Sequence, residues 1–415
     1  MPFHSSPATQ CRICGGDTLI PYLDLGAQPP SNTFPKPAEA GSEPRFPLVV
    51  QLCPACGLSQ LSEVVAAMDI FDDYAYLSST SRALVNHYQS MVDGLLARFA
   101  PGPDSLIVDI GCNDGITLAR YPEARYRLLG VEPSSAGKYA RERGFLVEQG
   151  FFDDRLALAL VGRHGQAKLA TATNVFAHVD DIRAFTRGVK TLLAPDGVFV
   201  IEAPYLRDMI ESLYFDTIYH EHLSYLAVTP LVRLFREHGL RLFHVEPVAL
   251  GASGPALRFF VCHAEAGFEQ DGSVQQYLQD EAAWGICAAE RYRDFATRVG
   301  KRREDILTLL ARLRAEGFVL GAFGAPAKGN TLLNYLGVTG ADLVAVAENN
   351  PLKAGRVTPG THIPIVDDAE FLRLGVNRAL LLTWNYADFF VAESDFVKHG
   401  GRFVIPLPEL RIRPE

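Results

Sequence analysis

A short apolar segment that ends in a glycine-containing turn constrains the fold of this chain more than any other feature. Residues 106–110 read Leu-Ile-Val-Asp-Ile, an apolar run too short for a helix and typical of a buried parallel strand. Gly111 and Gly115 follow, and glycine lets the backbone approach a ligand without a Cβ clash. Because open α/β sheets bind ligands at the carboxyl ends of their strands, we predict an α/β fold with a ligand-binding loop here.

The residues of this turn favour one class of ligand. Asp109, Gly111, Asn113 and Gly115 form the pattern Asp-x-Gly-x-Asn-x-Gly, with Asp114 before the last glycine. The pattern resembles the first motif of the S-adenosylmethionine-dependent methyltransferases. It lacks the Gly-x-Gly-x-x-Gly of dinucleotide-binding proteins and the Gly-Lys-Ser/Thr of P-loops. Glycine spacing alone leaves other nucleotide cofactors open.

A second feature follows one strand–helix unit later. The segment 126–133 reads as a strand that ends in Glu132 and Pro133. An acidic residue roughly 20 residues after the glycines suits a ribose diol, because a carboxylate accepts two hydroxyl protons. With Glu132 in place, S-adenosylmethionine is the favoured cofactor.

Length and charge limit the classes of function. The chain has 415 residues and a net charge of −9, which predicts two or three domains and gives little support for a nucleic-acid substrate. We see no basic segment followed by an apolar stretch at the N-terminus, and no apolar run near the ~20 residues of a membrane helix. We therefore expect a cytoplasmic protein without a membrane partner.

Two Cys-x-x-Cys pairs, Cys11/Cys14 and Cys53/Cys56, predict a zinc site. Four thiolates satisfy tetrahedral Zn²⁺ and leave no open position, so the metal should stabilise the fold and not catalyse. A redox pair or coincidence is the alternative, although a redox motif normally occurs once. Residues 1–70 are the expected zinc-binding domain, with a Pro- and Gly-rich loop from Gly26 to Pro47 between the pairs.

A methyltransferase-like domain is expected over residues 71–266. Predicted strands, with helices between them, are followed by a reversed hairpin at 240–248 and 257–263. The first five strands are expected near 106–110, 127–131, 145–148, 169–173 and 198–202. Phe152 should lie beside an adenine ring, and Asn174 and His178 should lie at the ligand face where the fourth strand ends. A lone histidine is as easily structural as functional.

The hydroxyl-rich segment 74–81 precedes a predicted helix from Leu84 to Phe99. It reads Tyr74-Ala-Tyr76-Leu-Ser78-Ser-Thr-Ser. An N-terminal helix cap with two packing tyrosines explains this composition. A lid over the cofactor, with Tyr76 facing the substrate, is the functional alternative, and spacing alone favours the cap.

Residues 214–225 are the most unusual stretch of the chain. They place Tyr219, His220, Glu221 and His222 in succession. Acid–base chemistry is the first interpretation, with histidine as base, glutamate orienting it and tyrosine donating to a developing oxyanion. A solvated polar helix start and a metal site are the alternatives. The metal is the weakest, because His-x-His in a helix splays the two rings about 200° apart.

Residues 267–415 are expected to form a second Rossmann-like module. Two helical segments over 274–316 precede a strand at 317–323, and more strands are expected at 343–347, 379–383 and 403–405. The turn that begins the next helix suits a phosphate, although simple turn chemistry also explains it. Its candidate ligands are Gly324, Ala325, Lys328 and Asn330. A punctuated loop should line the same cleft through Glu348, Asn349, Lys353, Thr361 and Ile363.

These elements together resemble the sugar C-methyltransferases of deoxysugar biosynthesis, of the tetronitrose C-3′-methyltransferase type. The matching residues cover nearly the whole chain. They are Cys11/Cys14/Cys53/Cys56, Tyr74-Ala-Tyr76-Leu-Ser-Ser, Asp109–Gly115, Gly130-Val-Glu-Pro-Ser134, His178, Tyr219-His-Glu-His222, Gly324-Ala-Pro-Ala-Lys328 and Pro359-Gly-Thr-His-Ile-Pro364.

The resemblance implies a zinc-binding domain, an S-adenosylmethionine domain and a C-terminal domain that holds a nucleotide-linked sugar. It matches His222 to the base and Glu221 to its partner. Tyr219, His178 and Tyr76 match the other active-site positions, with Tyr74 the alternative to Tyr76. We expect a monomer that methylates a 4-keto-6-deoxy nucleotide-sugar, at C-3′.

The chemistry agrees with this expectation. Methylation at carbon needs a carbanion equivalent, which a 4-keto sugar supplies once the proton beside the ketone is removed. A positioned base contributes on the order of 10²–10⁴ in rate. A zinc-ribbon methyltransferase acting on RNA or protein is the alternative enzyme. A scaffold that binds a nucleotide-sugar without catalysis is the non-enzymatic alternative.

Overall fold

Three larger β-sheets, one two-stranded sheet and the helices around them form the fold of the described residues. The computed structural model describes residues 3–71, 77–80, 82–251 and 254–414. Within these ranges, no helix combines the length and the apolarity needed to cross a membrane. The mixed α/β architecture predicted from the sequence is confirmed.

The N-terminal sheet is small and antiparallel, and its strand order is β11-β4-β3-β2. A separate pair, β1 with β5, lies beside it, and the short helix α1 spans Ala67–Phe71. The strands of these two sheets are β1 Ser5–Pro7, β2 Ile20–Gln28, β3 Phe46–Leu52, β4 Ser59–Leu61, β5 Glu63–Val65 and β11 Ser224–Tyr225. Strand β11 comes from the segment that directly follows His222, which the sequence analysis assigned to the central domain.

The central sheet has seven strands in the order β12-β13-β10-β9-β6-β7-β8. Five strands are parallel, and β12 and β13 form the antiparallel hairpin at one edge. All seven predicted strands are present. They are β6 Leu106–Ile110, β7 Arg127–Val131, β8 Leu146–Glu148, β9 Ala167–Thr173, β10 Leu193–Pro204, β12 Leu240–Gly251 and β13 Gly254–His263.

Helices cover both faces of this sheet. One predicted helix is missing. The helices are α2 Arg82–Phe99, α3 Gly137–Glu142, α4 Asp154–His164, α5 Ile182–Leu192, α6 Leu206–Glu211 and α7 Val228–Glu237. The helix expected after Gly115 is reduced to turns and one 3₁₀ turn at Leu118–Arg120. Pro122 explains the difference, because proline disfavours helical backbone at the residue before it and so ends the segment at Tyr121.

The C-terminal sheet has six strands in the order β16-β15-β14-β17-β18-β19. The first five are parallel, and β19 is antiparallel to β18. The strands are β14 Leu320–Phe323, β15 Val346–Ala347, β16 Ile365–Val366, β17 Arg378–Leu381, β18 Arg402–Ile405 and β19 Arg411–Arg413. This arrangement confirms the second Rossmann-like module. Strands β16 and β19 were not predicted.

Two helices connect the central and C-terminal sheets. As predicted, α8 at Ser273–Trp284 and α9 at Ala289–Ala315 form two segments. Tyr292 of α9 packs against Tyr22 of β2, with ring centroids 4.9 Å apart. The remaining helices are α10 Ala327–Leu336, α11 Asp368–Arg373, α12 Ala387–Glu393 and α13 Asp395–Lys398. One continuous apolar core runs through all three sheets.

Candidate active site and metal centre

A cavity of about 400 Å³ opens at the carboxyl ends of β6, β7 and β9. This is the position where open α/β sheets bind ligands. Seven of the residues predicted to bind the cofactor line it: Ser78, Gly111, Asn113, Glu132, Pro133, Phe152 and Asn174. Phe152 packs edge-on against Phe185, with centroids 4.9 Å apart. The predicted ligand loop therefore borders a real cavity.

Glu132 is buried at the end of β7 and is held by two backbone amides. The Asn113 N–H donates to Oε2 at 2.8 Å, and the Ser134 N–H donates to Oε1 at 2.9 Å. A carboxylate oxygen has two lone pairs, so both oxygens keep acceptor capacity for a diol. The side chain and the cavity therefore fit the ribose of a nucleoside-type cofactor.

Glycine and asparagine give the cavity its backbone shape. Gly111 has φ +71°, and a Cβ there would come within 2.3 Å of Val175 Cγ2. Asn113 and Asn174 end adjacent strands and both adopt left-handed backbone, with φ of 50° and 56°. Asparagine tolerates this region better than other non-glycine residues. The left-handed conformation at these two positions turns the backbone in the loops that follow the strands, where the cavity lies.

Three residues predicted to bind the cofactor are absent from the cavity lining formed by the described residues. Asp109 accepts from the Thr171 hydroxyl at 2.6 Å, and burial raises the pKa of its carboxyl to about 7. The Asp114 carboxylate accepts from the Ser79 amide at 3.0 Å. Gly115 has φ +79° and packs on Phe145. The spacing located the loop but did not show which of its side chains point inward.

The segment 77–80 closes over the same loop. The Ser78 N–H donates to Asn113 Oδ1 at 3.0 Å, next to the Ser79–Asp114 contact. The predicted lid residues Tyr74 and Tyr76 lie outside the described residues. Ser78 is thus the lid residue that the structure places at the cavity.

His178 joins the cavity to the unusual 214–225 stretch. It lines the cavity, stacks on Phe71 at 5.9 Å, and meets the ring of His222 edge-on at 4.9 Å between centroids. Burial, together with the neighbouring His222, holds the pKa of His178 well below its ordinary value. His178 is therefore a neutral ring between the cofactor cavity and His222.

His222 is held in one tautomer. Its Nδ1 lies 2.7 Å from the Thr217 carbonyl oxygen, and its Nε2 lies 2.8 Å from Tyr219 Oη. A carbonyl only accepts, so Nδ1 carries the hydrogen and Nε2 accepts from the tyrosine hydroxyl. Burial lowers the pKa of His222 to about 4. The ring is neutral near pH 7, as a base must be.

Glu221 does not orient His222, contrary to the expected pairing. Both ring nitrogens of His222 have the partners just described, and Glu221 Oε1 instead accepts from Asn32 Nδ2 at 2.7 Å. The Thr217 carbonyl takes the orienting role. His220 points away from His222, toward the Phe46 carbonyl at 3.3 Å. The backbone from residue 218 to 223 is irregular and not helical, so neighbouring side chains diverge.

The C-terminal sheet repeats the arrangement around Glu132. Glu348 follows β15 directly, and its Oε2 accepts from the Ala325 N–H at 2.9 Å. Its Oε1 accepts from the Asn350 N–H at 3.0 Å. The two sheets share this arrangement. In each, one oxygen of a glutamate that follows the second strand accepts from a backbone N–H in the loop after the first strand. The other oxygen accepts from the backbone N–H two residues further along the chain. Gly324 has φ +79°, and a Cβ there would lie 2.7 Å from Thr383 Cγ2.

Lys328 is buried beside this loop. Its Nζ donates to Asn385 Oδ1 at 2.6 Å and lies 3.8 Å from the centre of the Trp384 ring. Burial lowers its pKa to about 8, opposed by the charge of Asp216. The Trp384 indole N–H in turn donates to Asp216 Oδ2 at 2.6 Å. This lysine therefore connects the C-terminal sheet to the segment before His222.

Lys353 is the second buried cation near the loop. Its Nζ donates to the Ala325 carbonyl at 2.8 Å and lies 4.8 Å from the centre of the Phe34 ring. Burial lowers its pKa, and the charges of Glu348 and Glu221 oppose the shift. The Lys353 ammonium therefore lies near both Glu348 of the C-terminal module and Glu221 of the 214–225 stretch.

Four other predicted substrate residues have structural partners. Asn330 donates to the Ser31 carbonyl at 2.7 Å, and exposed Asn349 donates to Asp368 at 2.8 Å. The Thr361 hydroxyl bonds that of Thr358 at 2.6 Å, and Ile363 is fully buried. Only the Thr358–Thr361 contact is local turn chemistry, whereas Asn330 joins the C-terminal module to the loop between the two cysteine pairs.

Several residues that line the cofactor cavity were not predicted from the sequence. Ala67 and Phe71 of α1, Tyr88 of α2, and Asp180 and Asp181 before α5 all line the cofactor cavity. Local patterns mark them only as helix or cap residues. Their distance along the chain from the ligand loop hides their position.

The four predicted zinc ligands converge. The sulfur atoms of Cys11, Cys14, Cys53 and Cys56 all lie within 4.8 Å of one another, with Cys11–Cys56 and Cys14–Cys53 both at 3.5 Å. Zn–S bonds of about 2.3 Å in a tetrahedron require sulfurs roughly 3.8 Å apart, so the donor set fits Zn²⁺. No other histidine, cysteine, aspartate and glutamate cluster of this kind occurs among the described residues.

Three family models match successive parts of the chain. A putative zinc binding domain matches residues 11–71, a methyltransferase domain matches 85–245, and a C-methyltransferase C-terminal domain matches 251–408. The chain is also 34% identical over 409 residues to C-methyltransferase NovU of Streptomyces niveus, covering 98% of this chain and 97% of that protein.

Solved structures show partial similarity. An S-adenosylmethionine-dependent methyltransferase from Clostridium acetobutylicum has a TM-score of 0.34 at 9% identity, covering 43% of this chain and 92% of that chain. The glycopeptide N-methyltransferase MtfA has a TM-score of 0.33 at 14% identity, covering 42% and 90%.

The full-length similarity, the family models and the four-cysteine site agree. The methyltransferase cofactor is S-adenosylmethionine and the metal is zinc. The chain therefore belongs to the S-adenosylmethionine-dependent C-methyltransferases that carry an N-terminal zinc-binding domain.

Proposed function

We propose that the protein methylates a 4-keto-6-deoxy nucleotide-sugar at C-3′, the carbon next to the ketone. The observation that carries this proposal is the match between Glu132 and Glu348, each bound to two backbone amides in the same relation to its sheet. One such carboxylate suits the ribose of the cofactor. The second suits a second nucleoside, that of the acceptor.

Buried positive charge supports a diphosphate in the acceptor. Lys328 and Lys353 both lie at the loop 324–328, and both residues are buried, with 7% exposure each. A buried cation is costly unless it is paired. Asp216 lies near Lys328, and Glu348 and Glu221 lie near Lys353, but the hydrogen-bond partners of the two ammonium groups are a neutral amide and a neutral carbonyl, which suits an additional anionic ligand. The N-terminus of α10, which begins at Ala327, adds to this preference.

Tyr219 and His222 would remove the proton from C-3′. The Thr217 carbonyl fixes the hydrogen on Nδ1, which leaves the Nε2 lone pair directed at the Tyr219 hydroxyl. In the proposed step, the Tyr219 oxygen takes the carbon-bound proton while its own proton passes to His222 Nε2. The C–H electron pair moves into the ring and onto the ketone oxygen, giving an enolate.

His178 would stabilise that enolate. Its ring lies between the cofactor cavity and His222 and is neutral, so one ring nitrogen carries a hydrogen that it donates. A donor aimed at a developing oxyanion in a water-poor site typically contributes about 2.7–4 kcal/mol to the reaction. When bound, S-adenosylmethionine supplies the electrophilic methyl group that C-3′ receives.

Burial of the site supports a small acceptor and not a polymer. Tyr219 is 9% exposed and His222 is 7% exposed. An RNA or protein substrate would have to insert one nucleotide or side chain into this enclosed space. With the net charge of −9, the RNA alternative has the least support.

The experiment that tests the proposal is incubation with S-adenosylmethionine and each of a set of 4-keto-6-deoxy nucleotide-sugars. We expect one sugar to gain the mass of a single methylene unit, and tandem mass spectrometry should place it at C-3′. The matching 4-hydroxy sugars serve as the control, because without the ketone no enolate forms. Methylation of the 4-hydroxy sugars, or of none of the set, would overturn the proposal.

A further inference from the structure

The loop between the two cysteine pairs contacts two residues of the candidate acceptor site, Glu221 and Lys353. This interdomain loop, residues 29–45, connects β2 to β3 of the zinc-binding domain. Asn330 donates to the Ser31 carbonyl at 2.7 Å, and Arg356 donates to the Phe34 carbonyl at 2.7 Å. Both partners belong to the C-terminal part of the chain. The loop is therefore fastened to the module proposed to hold the acceptor.

The other end of the loop is fastened in the same way. The His362 ring nitrogen lies 2.9 Å from Glu43, and Arg45 donates to the Gly360 carbonyl at 2.9 Å. Gly360 has φ +77°, and a Cβ there would come within 2.9 Å of Pro29. The loop therefore packs closely against the backbone at Gly360, where a side chain would clash with it.

Two side chains of the loop face the predicted acids and cations. Asn32 Nδ2 donates to Glu221 Oε1 at 2.7 Å. The Phe34 ring is buried and lies 4.8 Å from Lys353 Nζ. Glu221 is itself 2% exposed, so its carboxylate depends on donors from the protein.

The zinc-binding domain also holds the backbone that follows Glu221. The Leu61 N–H donates to the Leu223 carbonyl at 3.0 Å, and Ser224 pairs with Gln60 where β11 joins β4. The chain between Tyr219 and Tyr225 is thus fixed by the zinc-binding domain through its backbone and, at Glu221, through a side chain.

We propose that Asn32 is a positioning residue for methyl transfer: the zinc-binding domain, through its interdomain loop, holds the carboxylate of Glu221 toward the acceptor. The inference rests on the proposed function, because it concerns the site of the same acceptor. Asn32 touches neither the cofactor cavity nor the Tyr219–His222 pair in the part of the chain that the structure describes.

The test compares Asn32→Ala with Thr33→Val, using the nucleotide-sugar that the unmodified protein methylates. The Thr33 hydroxyl bonds only within the loop in the described contacts, to the Pro30 carbonyl at 2.7 Å. We expect Asn32→Ala to lower kcat by about tenfold or more, from loss of a charged hydrogen bond. Zinc content and S-adenosylmethionine affinity should stay unchanged, and the free energy of unfolding should fall by no more than the about 1–3 kcal/mol that one unsatisfied buried acceptor costs. Thr33→Val should keep kcat within about threefold of the unmodified protein.

Asn32→Asp provides a second readout that a merely structural loop would not move. The substitution places a second carboxylate next to that of Glu221. The repulsion raises the pKa of one of the two carboxyl groups, which takes up a proton as the pH falls. The protonated carboxyl then donates in place of the amide. Among the described residues, the other charged groups near this pair are Lys353, which faces Glu221, and Glu348, which faces Lys353. We expect the deficit in kcat/KM to be large at pH 8.5 and to shrink toward pH 6.

Three results would overturn the inference. The kcat of Asn32→Ala could equal that of the unmodified protein. Thr33→Val could lose as much kcat as Asn32→Ala. The kcat/KM of Asn32→Asp could depend on pH in the same way as that of the unmodified protein. If Asn32→Ala does not fold, the nearly isosteric Asn32→Asp decides by its profile alone. Failure of the proposed function looks different, because the unmodified protein would then methylate no sugar of the set.

Discussion

The Trp384 indole N–H donates to Asp216 Oδ2 at 2.6 Å, which joins the C-terminal module to the segment that carries Tyr219 and His222. Asp216 is fully buried, and burial raises the pKa of its carboxyl to about 6. The next residue, Thr217, holds His222 through its carbonyl. The bond therefore lies one residue away from the contact that sets the tautomer of the proposed base.

Removing this indole donor should destabilise the protein. Trp384→Phe keeps a ring to stack on Tyr214 but leaves Asp216 Oδ2 without its donor. A buried acceptor left unsatisfied costs about 1–3 kcal/mol, so urea or thermal unfolding should show a loss of that size. Trp284→Phe is the matched control, because its indole donates to Glu211, whose side chain is exposed and can turn to water. An equal loss in both variants would contradict this account.

The charge of Lys328 should set the upper pH limit of acceptor binding. Its ammonium has a pKa lowered to about 8 by burial, so it loses its charge above that pH. We expect kcat/KM for the nucleotide-sugar to fall as the pH rises through about 8, while S-adenosylmethionine affinity stays level. Lys328→Met should have a lower kcat/KM over the whole pH range, and its kcat/KM should not fall further, along a basic limb of the pH profile, as the pH rises through about 8. A limb that persists unchanged in the variant would assign it to another group.

Tyr219 and His222 should act in one step. Tyr219→Phe and His222→Asn should each lower kcat on the order of 10²–10⁴, and the double variant should be little worse than either. Steady-state rates of methyl transfer measure this, with calorimetry to confirm that S-adenosylmethionine still binds.

His220→Asn is the control for these variants. His220 lies between the two residues in sequence but faces the Phe46 carbonyl, a contact that an asparagine amide can replace. Its rate should stay close to that of the unmodified protein. Additive losses in the Tyr219 and His222 variants would show two separate roles.

Glu132 and Glu348 should separate the two ligands. Glutamine at either position turns one acceptor oxygen into a donor that faces a backbone N–H. Glu132→Gln should lower the affinity for S-adenosylmethionine, and Glu348→Gln should lower the affinity for the nucleotide-sugar, each by about 10- to 100-fold. Each variant controls for the other in titration calorimetry. Loss of both ligands in either variant would indicate a general folding defect.

Features that depend on neighbouring residues could be predicted from the sequence. Strand β6 has the predicted bounds, because an apolar run and a glycine turn define it locally. The side chains of Asp109 and Asp114 were harder, because spacing does not show on which side of a loop they lie. Pro122 ended a predicted helix through a preference that local pattern alone could have shown.

Contacts between distant residues were beyond sequence pattern. Asn32 lies 189 residues from Glu221, and Trp384 lies 168 residues from Asp216. Both contacts exist only because three sheets pack on one core. The expected Glu221–His222 pairing was wrong for a related reason: adjacency along an irregular backbone does not bring side chains together.

Proton exchange at the acceptor carbon shows directly whether the Tyr219–His222 pair removes the hydrogen from C-3′. The protein, S-adenosylhomocysteine and the accepted 4-keto nucleotide-sugar would be incubated in D₂O, and deuterium at C-3′ followed by NMR. We predict exchange of one hydrogen with the unmodified protein and none above the uncatalysed rate with His222→Asn. Exchange that continues undiminished in His222→Asn, or methyl transfer without any exchange-competent hydrogen at C-3′, would contradict the account.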